Sequence, residues 1–218
     1  MKTSPLLITA IILLSFNTLI YAQQDQQAGK ILDQLFEKIK SSPSVSMDFI
    51  IAISSSRDNF SDEFEGSMIM KGEKYRLNFM GNEIFFDGTT TYSYMPDANE
   101  AMISEPDEDE GILANPTKLF TDYSKEFRYR LIGETSRNGI RLYEIDLHPL
   151  ELDQIFHTIK LFIDREKSFL HSAVISAKDG NTYTFTVNEA DMGRQVPDSH
   201  FNFRKEDYPG VEIIDMRW

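Results

Sequence analysis

The sequence contains no cysteine and is short of positive charge. The absence of cysteine excludes disulfide bonds, thiolate metal sites and a cysteine nucleophile. It also excludes a lipid anchor attached to an N-terminal cysteine of the chain itself. The chain has 22 lysine and arginine residues against 35 aspartate and glutamate residues, so its net charge is −13. Because an acidic protein is a poor partner for phosphate backbones, we expect no nucleic-acid partner.

Recognisable catalytic patterns are also missing. The sequence has no Gly-x-Ser-x-Gly nucleophile motif, no glycine-rich phosphate loop, and no histidine pair at the spacing of a zinc-binding helix. Acidic residues are plentiful, but no spacing marks two of them as a glycosidase pair. We therefore expect no catalytic residues, no cofactor and no metal site. A secreted hydrolase built on an unmarked carboxylate pair remains the weakest alternative.

The first 22 residues have the pattern of a secretory signal peptide. Lys2 supplies a positive start, Leu6–Leu14 forms an apolar run, and Ala22 offers a small residue for cleavage. The apolar run is short for a membrane span, and no later run is longer. The pattern predicts a cleaved signal peptide at 1–22 and a single exported domain at 23–218. The alternative is an uncleaved N-terminal anchor.

Two segments have helical periodicity. In Asp25–Lys40, apolar residues recur at intervals of three and four, which predicts one amphipathic helix that ends before Pro43. In Pro116–Lys125, the preceding Asn115 is a good helix cap and proline suits the first helical position. The segment Pro149–Phe156 is either a third short helix or a loop.

The rest of the chain alternates with a period of two, which is typical of β-strands. Glycine-containing pairs punctuate the runs and predict tight hairpin turns. About a dozen short strands separated by such turns favour an antiparallel sheet that curls or closes. The acidic loop Glu105–Gly111 lacks the spacing of an EF-hand, so we interpret it as a solvated loop. The fold class is therefore mainly β with short helices.

The apolar residues are the most distinctive part of the composition. The chain has nine methionines and sixteen phenylalanines, and many of them fall on the apolar faces of neighbouring predicted strands. Methionine adapts to irregular partners, so a sheet face lined by Met and Phe suits flexible acyl chains. The alternative is that these side chains only fill a core.

Several motifs together resemble the LolA-like periplasmic carriers of outer-membrane lipoproteins. Phe64–Lys71 followed by Tyr75 is similar to the family's Gly-x-Leu/Met-x-x-Lys hairpin. Asp87–Thr89 followed by Tyr92–Tyr94 is similar to its next strand pair, with tyrosine in place of tryptophan. The segment 116–120 resembles its lid helix, and 201–212 resembles its C-terminal end.

This resemblance implies an incomplete antiparallel β-barrel with a helical lid over a hydrophobic cavity. It implies a periplasmic chaperone that binds the acyl chains of lipoproteins. Because a one-to-one shuttle is more natural as a monomer, we expect a monomer. The implied partners are acylated lipoproteins, an inner-membrane lipoprotein-releasing transporter that loads the carrier and an outer-membrane receptor that unloads it. The alternative is a lipid-binding or lipid-sensing module of the same fold with a ligand other than a lipoprotein, such as a pigment or a glycolipid precursor.

Strand alternation and the resemblance together give a candidate ligand-binding set on the sheet and on the second helix. A register error of one residue would move a strand's members to the other face. Family members place a lid-holding arginine after the hairpin lysine, but this sequence has Gly72 there. The predicted ligand-binding residues are Met47, Phe49, Ile51, Phe64, Met68, Met70, Leu77, Phe79, Phe86, Tyr92, Tyr94, Leu119 and Phe120.

Overall fold

Strands dominate the computed structural model, which describes residues 25–55, 57, 59–105, 123–151 and 153–217 of the chain. The predicted signal peptide, nearly all of the acidic loop and residues 116–122 of the second predicted helix lie outside the described residues.

The strands form one 12-stranded sheet, ordered β12-β6-β5-β4-β3-β2-β1-β11-β10-β9-β8-β7. Among the described residues, two α-helices accompany it, α1 (Gln26–Ser41) and the single turn α2 (Tyr123–Glu126). The strands are β1 (Val45–Ser55), β2 (Phe60–Lys71), β3 (Lys74–Phe79), β4 (Asn82–Phe86), β5 (Thr91–Met95), β6 (Glu100–Ser104), β7 (Phe127–Arg137), β8 (Ile140–Pro149), β9 (Phe156–Asp164), β10 (Phe169–Ala177), β11 (Asn181–Asp191) and β12 (Glu212–Asp215).

The sheet consists of two meanders joined at its centre. Strands β1 to β6 follow one another in space, and so do β7 to β11. The halves meet where β1 pairs antiparallel with β11, for example at Ile51 and Phe185. The edge strands β7 and β12 do not pair with each other, so the sheet is open. This confirms the prediction of an incomplete antiparallel barrel. One difference is that β12 pairs parallel with β6. Before β12, the segment 192–211 returns from β11 to that edge of the sheet.

Helix α1 forms where the sequence predicts it. The carboxylate of Asp25 accepts hydrogen bonds from the backbone N–H groups of Gln27 and Ala28, which caps the helix start. The helix ends at Ser41, just before Pro43. Its apolar stripe is buried, including Leu32 and Leu35.

The two faces of the sheet have different neighbours. We call the face that shares the hydrophobic core with α1 the inner face, and the opposite face the outer face. The C-terminal segment 192–211, which includes the two short 3-10 helices Asp198–Phe201 and Lys205–Asp207, lies against the outer face of β3 to β5. Between β8 and β9, the described residues form turns and bends rather than a third helix. Within the described ranges, no helix is both long and apolar enough to cross a membrane.

Candidate ligand-binding face

Cross-strand register aligns the apolar side chains of the inner face into rows. One row runs Val187, Phe49, Gly66, Phe79 across β11, β1, β2 and β3. Two further rows lie on one side of it, across β1, β2, β3 and β4. The first contains the buried Met47 and Met68 and the partly buried Leu77 and Ile84. The second is buried throughout and contains Val45, Met70, Tyr75 and Phe86.

The row on the other side is partly exposed. It consists of Phe185, Ile51 and Phe64, which lie opposite one another on β11, β1 and β2. All three side chains are only half-buried, whereas Phe49 in the next row is 3% exposed. The inner face therefore changes from a closed core to an open apolar surface within two residues along each strand.

Four aromatic rings lie at this boundary. We call Phe49, Phe64, Phe79 and Phe185 the phenylalanine cluster. The ring of Phe49 has its centroid 4.9 Å from that of Phe185 and 6.1 Å from that of Phe79, which is 6.2 Å from that of Phe64. Such distances are typical of attractive aromatic pairs. The cluster therefore provides a continuous apolar floor beneath the exposed row.

Helix α1 is fastened to the β7 side of the sheet by polar contacts. The second carboxylate oxygen of Asp25 accepts a hydrogen bond from the backbone N–H of Leu131 at 3.0 Å. The hydroxyl of Tyr123 donates to Asp33 at 2.6 Å, and burial together with this bond raises the pKa of Tyr123. The aromatic ring of Tyr123 also packs on Phe36 with a centroid distance of 4.7 Å. The helix thus lies against β7 and β10, in the β7 to β11 half of the sheet.

The structure brings most of the predicted binding residues together. Met47, Phe49, Ile51, Phe64, Met68, Met70, Leu77, Phe79 and Phe86 share the inner face. Leu119 and Phe120 lie outside the described residues. Sequence reasoning missed Phe185 and Val187. The same alternation of apolar and polar residues in the run Thr182–Val187 could have identified them.

Two predicted residues lie on the wrong face. Phe86 pairs with Thr91, so Tyr92 lies opposite Phe85 and Tyr94 opposite Glu83, on the outer face. There Tyr92 stacks on Phe203 at 5.6 Å, and Tyr94 packs on Tyr208 at 4.3 Å. The placement of both tyrosines in the cavity is therefore wrong, because the turn between β4 and β5 shifts the alternation by one residue.

The position of the family's lid-holding arginine falls in a turn. Gly72 has φ +59, and a Cβ there would meet nothing within 4 Å. The nearby Arg76 lies on the outer face, where its guanidinium pairs with Glu83 at 2.7 Å. Neither residue faces the inner surface. In the part of the chain that the structure describes, no group of His, Asp and Glu side chains is arranged to hold a metal ion.

Comparisons with solved structures agree with this architecture. A comparison with curated proteins returned no match. An uncharacterised conserved protein from Thermus thermophilus superposes with a TM-score of 0.57 at 12% identity, covering 87% of this chain and 99% of its own. A DUF1329 family protein from Desulfovibrio piger superposes with a TM-score of 0.50 at 11% identity, covering 83% of this chain and 98% of its own.

A third structure, a LolA superfamily protein from Nitrosomonas europaea, has a TM-score of 0.45 at 14% identity and covers 81% of this chain and 97% of its own. The likeness to the first two structures, at such identities, shows the fold alone. The sequence itself matches the family model described as outer membrane lipoprotein carrier protein LolA over residues 40–204. The match spans more than half of the chain, so this protein belongs to the LolA family.

Proposed function

We propose that this protein is a periplasmic carrier that binds the acyl chains of lipoproteins on the inner face of its sheet. The observation that carries the proposal is the half-buried row of Ile51, Phe64 and Phe185 above the phenylalanine cluster. A contiguous apolar surface of this kind beside the core is typical of a binding site. Membership of a family named for lipoprotein carriage supports lipid as that ligand.

The energetics favour a surface of this kind. Leaving an acyl chain in water costs about 0.8 kcal/mol per methylene, so several chains amount to tens of kcal/mol. A fully enclosed pocket would hold such a cargo too tightly for release. A partly open face offsets much of the cost and still exchanges its cargo with an acceptor.

Membership of the family supports the finer role that we propose. A lipoprotein carrier accepts its cargo from an inner-membrane transporter and delivers it to the outer membrane, through a receptor where one exists. The work is binding rather than catalysis, so the chain needs no catalytic residues.

A matched pair of variants on β1 tests the proposal. Ile51 and Ile50 are neighbouring, half-buried isoleucines that face opposite sides of the sheet. We expect Ile51→Gln to weaken binding of a fluorescent dipalmitoyl-glyceryl-cysteine peptide at least about tenfold, because an uncompensated amide then faces the acyl chains. Ile50→Gln is the control, and its affinity is expected to equal that of the wild type. Fluorescence anisotropy measures both.

Equal affinities in the two folded variants would contradict the assignment of the inner face. Charged substitutions at Phe49 or Met68 are less useful, because these side chains are only 3% and 6% exposed and a charge there would unfold the domain. Native mass spectrometry of the protein purified from its host then identifies the cargo. Lipoprotein bound one to one supports the carrier role, whereas free lipid or pigment alone overturns it and leaves a lipid-binding module.

A further inference from the structure

The first half of β2 has a neighbouring strand on one side only. Strand β1 pairs with β2 from Phe60 to Met70, whereas β3 pairs with it only over residues 66–71. Beyond that point the chain turns at Met80 and continues into β4, which pairs with β3. Among the strands that the structure describes, residues 60–65 therefore have no partner on the β3 side. We call residues 60–65 the free edge of β2.

The free edge leaves main-chain groups available for pairing. Alternate residues of an antiparallel strand direct their N–H and C=O groups to opposite sides, so every second residue of the free edge directs them away from β1. One backbone group is already engaged, because the carboxylate of Asp62 accepts the N–H of Glu63 at 2.9 Å. The other groups on this side are suited to hydrogen-bond an added strand, which is how extended peptides dock on sheet edges.

The two faces of the free edge carry different side chains. On the inner face Phe60 is 48% exposed, Asp62 is exposed, and Phe64 is a half-buried member of the phenylalanine cluster. On the outer face Glu63 and Glu65 are both exposed. Since side chains alternate along any strand, an added strand would place every second side chain beside the phenylalanines and the others beside the glutamates.

The carboxylates of the free edge lack a counter-charge in the adjacent strand. Residues 50–55 of β1, which pair with residues 60–65, contain no lysine or arginine. Asp62, Glu63 and Glu65 form no salt bridge with any other side chain in the described part of the chain. Like charges would repel the same edge of a second copy, so self-pairing is disfavoured. A strand with positive side chains would be attracted instead.

We propose that the free edge of β2 binds an extended segment of a partner protein in which apolar and basic residues alternate. Main-chain hydrogen bonds would hold the segment in line with β3. Its apolar side chains would lie beside Phe60 and Phe64, and its basic side chains beside Glu63 and Glu65. The site uses the edge of the sheet rather than the row of Ile51, so the inference goes beyond the carrier role.

Fluorescence anisotropy with a short labelled peptide of alternating valine and lysine tests the proposal. We expect saturable binding, weakened at least about tenfold in a double variant that combines Glu63→Lys with Glu65→Lys, because attraction is replaced by repulsion. A peptide of alternating valine and glutamate should show the opposite preference. The matched control for net charge combines Glu151→Lys with Glu206→Lys, two exposed carboxylates outside β2.

Methylation of the peptide nitrogens separates strand addition from charge attraction alone. An added strand donates to β2 from one set of alternate residues only, and N-methylation removes those donors. Methylation of the valines and methylation of the lysines should therefore differ. One of the two peptides should lose at least about tenfold in affinity, and the other should retain most of it.

Each outcome bears on one part of the inference. No saturation up to about 1 mM peptide, or equal effects of the two double variants, would overturn a docking site on the free edge. Equal effects of the two methylation patterns would overturn strand addition. Because Ile51→Gln changes the proposed acyl-binding row but not the main chain of β2, it is expected to leave peptide affinity unchanged. The inference and the proposed function therefore fail independently.

Discussion

Gly66 is the position where the packing of the inner face is tightest. A Cβ built on this residue would lie 2.5 Å from the ring of Phe49, so the absence of a side chain lets that ring approach the backbone of β2. We expect Gly66→Ala to lower the free energy of unfolding by about 1–3 kcal/mol through overpacking. Urea denaturation followed by circular dichroism measures the loss.

Two further variants check that explanation. At Gly193 a Cβ would meet nothing closer than 3.7 Å, so Gly193→Ala is expected to change the stability by less than about 0.5 kcal/mol. Phe49→Leu in the Gly66→Ala background removes the ring and should recover part of the lost stability. Equal stability of the two alanine variants would show that the ring does not depend on Gly66.

The residue scale also shows what the sequence could and could not predict. Alternation placed Ile51, Met68 and Phe79 on one face, because successive residues of a strand point to opposite sides. It failed at Tyr92. The face on which Tyr92 lies depends on how β4 and β5 pair across their turn, and the pattern within one strand does not give this register. The contacts between the outer face and the C-terminal segment were beyond reach for the same reason, since Tyr94 and Tyr208 are distant in sequence and pack together only in the folded chain.

At the scale of elements, α1 depends on one carboxylate for two different contacts. One oxygen of Asp25 caps the helix, and the other accepts the backbone N–H of Leu131 on β7. We expect Asp25→Ala to lose both contacts and to lower the free energy of unfolding by about 2 kcal/mol. Asp25→Asn keeps one acceptor oxygen for the cap and should lose about half as much. Chemical denaturation of both variants distinguishes the two roles.

The stabilising effect of Asp25 also depends on pH in a definite direction. Burial alone would raise the pKa of Asp25, but hydrogen bonds from Ala28, Leu131 and Gln27 outweigh it and hold the pKa below its usual value. A carboxylate with a lowered pKa contributes its full stabilisation above the unfolded pKa and loses it as pH falls through the folded value. The difference between wild type and Asp25→Ala should therefore be constant from neutral pH to about 4 and shrink below that. A constant difference down to pH values of about 2 would contradict the hydrogen-bonded carboxylate.

At the scale of the whole molecule, the sheet combines a fixed centre with two unpaired edges. Strand β1 is paired on both sides along nearly its whole length, and its contact with β11 joins the two meanders, whereas β11 pairs with β10 only over residues 182–186. Among the described residues, the four-residue strand β12 has a single, parallel neighbour, and β7 pairs only with β8. The proposed acyl-binding surface on β1, β2 and β11 therefore lies on the part of the sheet that we expect to be hardest to open.

Native-state hydrogen exchange tests this distribution of stability. Amides of β1 and β11 should exchange only through global opening, because breaking their bonds separates both meanders. Amides in Glu212–Asp215 should exchange at least about a hundredfold faster through local fraying of the edge. If β1 instead exchanged as fast as β12, the central pairing would not hold the two halves together. The binding face would then be a deformable surface, and cargo release would arise from opening of the sheet rather than from its exposed row.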